Sequence, residues 1–355
     1  MVKRIGWIDC AKFVAVIAVV VDHCYGLMYI SPFIAYASYF SVSLFILLSG
    51  ISTWTAFERG KDTSFLYQFS KVKRLLVLYA VAVLVVLCIE QKKFDMKIYL
   101  RSLVEFNIQG PYYYLVFFIQ LLMIAPILVT WCRNVNNRKH KWIIHAGALG
   151  AFGWFAYISI NYTYILPVHG GGQFLGGGTY VILYYMGMLL ASNGVFEQSI
   201  NKRVLIAVIC CGTSIVWILL MAEEILPFDR WMSPYWGAGF NPPSINLMIY
   251  SLLVLFVCYS VFSLLCKVQN KLVRRIVFIV SFFGKNTLYI WLYHLIVKSF
   301  FLKQFPDLFY QNLIFKAVIF CAIVAIPAIV KQVIYMFGEF CYDHLVCRED
   351  EYKKL

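Results

Sequence analysis

The sequence predicts an all-α, polytopic membrane protein of about ten transmembrane helices with both termini cytoplasmic. Three observations carry this prediction. First, of 355 residues 62% are apolar and only 14% charged, and the mean hydropathy is +0.77. A soluble domain has about a quarter of its residues charged, so no water-facing surface can be assembled from this composition. Second, the apolar residues fall in runs of about 20, the length that crosses a bilayer as a helix. These runs lack the period-2 alternation of a barrel strand, and in lipid a helix satisfies its backbone groups within its own segment. Third, Lys and Arg collect in alternate loops, as topogenic charge does.

The predicted spans are 9–30, 38–57, 73–90, 112–131, 142–160, 178–192, 203–222, 245–266, 275–297 and 312–336. The sixth is short and follows a glycine-rich stretch. With the N-terminus inside, the cytoplasmic segments hold Arg59, Lys61, Lys71, Lys73 and Arg74, then Arg133, Arg138, Lys139 and Lys141, then Lys202 and Arg203, and then Lys267, Lys271, Arg274 and Arg275. The outer loops hold chiefly Lys92, Lys93, Lys97, Arg101, Arg230, Lys298 and Lys303. Residues 1–340 are expected to form a single membrane unit and 341–355 a short polar cytoplasmic tail. The first helix is expected to stay in place, since its apolar run is too long for a signal peptide and contains Lys12.

The net charge of +14 raises nucleic acid as a partner, but the charges lie in short loops and form no continuous basic face. The 11 cysteines, among them Cys88, Cys210, Cys211, Cys258 and Cys321, are scattered through apolar runs. They show neither a CxxC pair nor zinc-type spacing and read as small buried hydrophobes; no metal is expected.

Two outer loops carry signals with two readings each. The run 169–178 is glycine-rich, too flexible for a helix core, and is either a lid or a plain connection. The segment 227–243 carries Trp231, Tyr235, Trp236 and Phe240, which serve either as interfacial anchors or as stacking surfaces for sugar rings.

Ionisable residues are costly in a membrane helix and usually face the bundle interior. The first span carries Asp9, Lys12, Asp22 and His23. Lys12 and His23 are close to three turns apart, on one face and about 16 Å from each other along the axis. Asp9 precedes Lys12 by one turn on the same side, placing it to pair with Lys12, while Asp22 lies about 100° round from His23 and points elsewhere. The ninth span carries Gly284, Lys285, Asn286, Thr287 and His294, with Asn286 and His294 roughly on one face. Interhelical hydrogen bonding explains such residues as well as catalysis does. Ser41, Ser43, Ser49 and Gly50 in the second span imply tight helix packing. Tyr112, Tyr113, Tyr114 and Gln120 open the fourth, where tyrosines chiefly form an interfacial belt. Lys71, Lys73 and Arg74 at the start of the third span are either membrane anchors or a clamp for a phosphorylated cytosolic ligand.

The pattern Arg4-x-x-Trp7-Ile8-Asp9-x-Ala11-Lys12, running through an apolar stretch to Val-Val-Asp-His23, resembles the start of the acyltransferase-3 family of membrane acyltransferases. Ser49-Gly50 is similar to that family's second-helix ending, and Phe283-Gly284-Lys285-Asn286-Thr287-Leu288-Tyr289 to His294 is similar to its late signature. The likeness extends along the whole chain in helix count and order. It implies a bacterial inner-membrane enzyme that transfers an acyl group, usually from acetyl-CoA, to a hydroxyl of a surface or lipid-linked carbohydrate.

The family's first-helix motif is a basic residue, ten residues, then an essential histidine. Lys12 and His23 match the spacing, with Lys where Arg is commoner; lysine keeps the charge but loses the bidentate fork. The family's Arg-x-x-Arg before the third helix stands here as Lys71-x-x-Arg74. The resemblance therefore implies His23 as catalytic residue, acting as general base or as acyl-carrying nucleophile. It also implies Asp9, Lys12, Asn286 and His294 in support, and Lys71, Lys73 and Arg74 on the phosphates of the donor. The competing reading is a transporter or flippase for a saccharide or lipid-linked saccharide. Against it, the spans show neither inverted halves nor a series of membrane-embedded carboxylates.

Overall fold

In the computed structural model the described residues are 5–90, 94–161, 175–223, 242–309 and 313–352. They form α1 (Gly6–Asp22), α2 (Pro32–Ser38), α3 (Ser41–Glu58), α4 (Phe65–Glu90), α5 (Met96–Glu105), α6 (Tyr113–Asn136) and α7 (Lys141–Asn161), followed by α8 (Tyr180–Ser192), α9 (Ile200–Ala222), α10 (Ile245–Leu265), α11 (Lys271–Lys285), α12 (Thr287–Gln304) and α13 (Leu313–Tyr352). Among the described residues, seven helical stretches are long and apolar enough to cross a membrane: Pro32–Glu58, Phe65–Ile89, Gly110–Asn136, Lys141–Ser159, Ile200–Ala222, Ile245–Leu265 and Leu313–Met336. The pair α11 and α12 qualifies as one further, bent span. The chain is an all-α, multi-pass membrane protein. Its outer helices show large apolar side chains outward, among them Val208 and Ile209 on α9 and Val318 and Ile334 on α13, the surface that hydrocarbon requires.

Two of the shorter helices, α8 and α1, are packed in the interior. On α8, Tyr180, Tyr184, Tyr185 and Met188 are fully buried. On α1, Ala11 and Ala15 pack into one apolar cluster, with α3, α6, α8 and α10, while Val16 and Val20 pack into a second, with α4, α12 and α13. A helix walled by protein on several sides can carry polar residues without meeting lipid, so α1 is where a charged stripe is tolerable.

Glycines set the closest approaches. A Cβ on Gly50 would overlap the Tyr184 carbonyl, and one on Gly187 the Leu47 carbonyl, so α3 and α8 cross backbone to backbone. In the same way Gly284 of α11 lies against the carbonyl of Asp9 on α1.

Three predicted elements come out differently. The first span does not run to residue 30: α1 ends at Asp22. Gly26 then takes φ 76°, its N–H donates to the Tyr29 carbonyl, and Pro32 restarts the chain as α2. The ninth span is broken, with α11 and α12 meeting at Asn286 at 76°. There the Asn286 side-chain amide donates to the Phe282 carbonyl and the Thr287 hydroxyl to that of Gly284, bonds by which short polar side chains compete with a continuous helix. α12 also runs on to Gln304, so Lys298 and Lys303, assigned to an outer loop from sequence, are helical. The third span starts at Phe65, which puts Lys71, Lys73 and Arg74 inside α4. Of the glycine-rich run, 175–178 form a tight turn into α8, and the Gly176 N–H donates to Gln120 on α6. Residues 169–174 and most of the aromatic segment, 227–241, lie outside the described residues.

Candidate active site

The end of α1 brings the two membrane histidines together. His23 caps α1, His294 lies in α12, and His23 Nδ1 is 2.7 Å from His294 Nε2 with the rings stacked at 4.9 Å. Hydrogen bonding fixes the tautomers. His294 Nδ1 lies 3.1 Å from the Ile290 carbonyl and 2.8 Å from that of Trp291. Carbonyls only accept, so Nδ1 carries the proton, and in a neutral ring Nε2 is left with a lone pair. The contact between the histidines is then a donation from His23 Nδ1–H to that lone pair. By elimination His23 Nε2 is bare, and it belongs to the partly exposed ring of the pair: the His23 side chain is 23% exposed, whereas His294 is buried. A neutral imidazole held with one nitrogen free is the state a general base or a nucleophile needs.

Two side chains that sequence reasoning did not place here complete this end of α1. Asp22, expected to point elsewhere, has Oδ2 3.9 Å from His23 Nε2; the 100° rule holds inside a helix, and Asp22 is its last residue. Lys298, one turn beyond His294 on α12, donates from Nζ to the His23 carbonyl at 2.8 Å. That carbonyl is one of those left unpaired at a helix C-terminus, where a cation is favourable. The i to i+4 spacing of His294 and Lys298 was a signal in the sequence, masked by ending the span at residue 297.

Toward the other end of α1 lies a cavity of about 370 Å³. Lys12, Lys71 and Arg74 give it positive charge, Ser49, Ser52, Thr53 and Thr287 give it hydroxyls, and Phe45, Tyr114, Phe118 and Trp291 form an aromatic wall. A second cavity of about 310 Å³ adjoins it through Lys12 and Ser52, and adds Asp9, Arg59 and Lys61. Trp291 belongs to both regions: its ring lines the larger cavity, 5.1 Å from that of Tyr114, and its carbonyl holds His294.

The sequence-predicted residues therefore divide. His23 and His294 meet. Lys12, Lys71 and Arg74 share one cavity, and Asp9 lines the neighbouring one beside Lys12. Lys73 is exposed and lines neither. Asn286 is buried and spent on the helix break.

A family model described as an acyltransferase domain matches residues 5–332. The chain belongs to the acyltransferase-3 family. The match takes in α1 to α12 and most of the apolar part of α13, so both the histidine pair and the basic cavities fall within the family's membrane acyltransferase domain. No curated protein and no solved structure matches the chain. Acyl transfer to a hydroxyl calls for a base and for a space that holds a donor.

Proposed function

We propose that this acyltransferase moves an acetyl group from cytosolic acetyl-CoA to a hydroxyl of a cell-surface or lipid-linked carbohydrate in a bacterial inner membrane. The observation that carries the reading is the bare His23 Nε2, oriented by His294, at the opposite end of α1 from a cluster of cations. Lys12, Arg59, Lys61, Lys71 and Arg74 suit the phosphates of coenzyme A by charge. The larger cavity's aromatic wall suits the pantetheine arm. The excess of Lys and Arg in the loops at this end supports a cytoplasmic position for it, on the side from which acetyl-CoA would come.

The proposed reaction is general-base catalysis. The acceptor hydroxyl donates its proton to His23 Nε2 as its oxygen attacks the thioester carbonyl. His294 accepts the Nδ1 hydrogen bond throughout, and the Asp22 carboxylate, 3.9 Å away, favours the imidazolium that forms. Collapse of the tetrahedral intermediate breaks the C–S bond. The leaving thiolate takes the proton from His23, which gives ester and free thiol with the base restored.

Purified protein in nanodiscs is given labelled acetyl-CoA, with and without a membrane glycan extract. Transfer by wild type that is lost in His23→Ala supports the reading. Equal transfer by both moves the base elsewhere. No acetyl-CoA binding or turnover with glycan present favours saccharide transport.

A further inference from the structure

The two acceptors at the end of α1 are mismatched to a simple alcohol. His23 Nε2 has a lone pair, Asp22 Oδ2 has only lone pairs, and they face each other at 3.9 Å, too far for a hydrogen bond between them. A mono-alcohol brings one proton and satisfies one of them. Two hydroxyls on adjacent carbons bring two, and their oxygens sit closer together than Nε2 and Oδ2 do, so each reaches its own acceptor. Both side chains are partly open, at 23% and 20% exposure.

The surroundings suit a sugar ring. The turn after α1 places Tyr25 and Tyr29 with ring centroids 5.7 Å apart, and α2 with its C-cap places Tyr36 and Tyr39 at 5.6 Å. Tyr25 is exposed and the other three are half-buried. The Tyr29 hydroxyl bonds to the carbonyl of Val21, the residue before Asp22, which ties that ring to the end of α1. Aromatic faces take the C–H side of a pyranose while their hydroxyls meet its polar rim. The turn is held firmly: the Tyr29 hydroxyl donates to the Val21 carbonyl, Lys298 to that of His23 and Lys316 to that of Met28.

We infer that Asp22 is an acceptor-binding residue and that the acceptor is a vicinal diol, one hydroxyl on His23 Nε2 for acylation and its neighbour on Asp22. This rests on the acyltransfer reading, and it adds the chemical class the enzyme selects. The balance is unchanged: only the hydroxyl at His23 loses its proton to Nε2 and gains the acyl group, while the neighbour stays protonated and donates to the carboxylate.

The test has a binding arm that needs no donor. Saturation-transfer NMR on the protein in nanodiscs follows methyl glucoside, galactoside and mannoside beside their monodeoxy counterparts. At least one glycoside binds, loss of one of two adjacent hydroxyls weakens it by roughly ten- to a hundredfold, the range of a hydrogen bond to a charged group, and Asp22→Asn weakens it similarly. In the transfer arm, labelled acetyl-CoA is supplied, and Asp22→Asn raises KM for the diol by that factor more than it lowers kcat. Deoxy glycosides binding as well as their parents, or wild type binding none, overturns the inference without use of the variant, so a poorly folded Asp22→Asn does not protect it. Diol-dependent binding with no transfer from acetyl-CoA leaves the diol site standing and removes the donor reading instead.

Discussion

Two histidine networks in this molecule differ in one nitrogen. His145 on α7 is held by the Tyr185 hydroxyl at Nδ1, 2.8 Å, and by Asn136 Oδ1 at Nε2, 3.0 Å. Both nitrogens are engaged, all three residues lie on neighbouring helices α6, α7 and α8, and the ring ties those helices together. His294 is equally satisfied. His23 alone of the three has its second nitrogen turned toward an acceptor that does not bond to it. A buried polar group normally finds its partners, so a membrane histidine is structural unless one nitrogen is kept waiting. The comparison separates a ring with one nitrogen unbonded from rings with both nitrogens bonded, a difference that residue type alone does not show.

The first way to break it is His23→Ala, where acyl transfer should fall by roughly two to four orders of magnitude, the worth of a positioned general base. His294→Asn should cost less, about ten- to a hundredfold in kcat, because an orienting hydrogen bond is lost while the base remains; an unchanged rate would mean that the tautomer is set by something else. Removing a cavity cation in Lys71→Ala or Arg74→Ala should raise KM for the donor by about tenfold, with the loss growing smaller at high salt as charge is screened. Smallest for catalysis is His145→Ala. Transfer per folded molecule should match wild type, while the melting temperature in detergent drops with the loss of two hydrogen bonds of about 1 kcal/mol each. A folded His145→Ala protein without activity would erase the distinction on which the comparison rests.

The ranking of these effects was only partly legible in the sequence. Lys12 and His23 announced themselves by spacing on one face, and the position of Lys71 and Arg74 before an apolar run marked them as a basic group. His145 carried no signal, because its partners, Asn136 and Tyr185, reach it only once α6, α7 and α8 are packed. Lys73 looked equivalent to its neighbours at positions 71 and 74, but it is exposed on α4 and lines neither cavity. Asn286 was placed roughly on one face with His294 in a continuous span. It caps α12 at the break, and its side-chain amide turns back to the Phe282 carbonyl on α11.

By itself the sequence determined the solvent. A chain with 14% charge must expose apolar surface, lipid is the medium that accepts it, and helices are what lipid allows. It also determined that α1 is polar where a spanning helix should not be. Tertiary structure decided what that polarity is for. The pairing of His23 with His294 spans 271 positions of chain, and no local period reports a contact made across a bundle. The convergence of Asp22 on His23 depends on where α1 stops, and that is set by the turn from Tyr25 to Tyr29 and by lysines arriving from α12 and α13. Residue type and spacing limit what a side chain can do; packing settles which nitrogen is left free to do it.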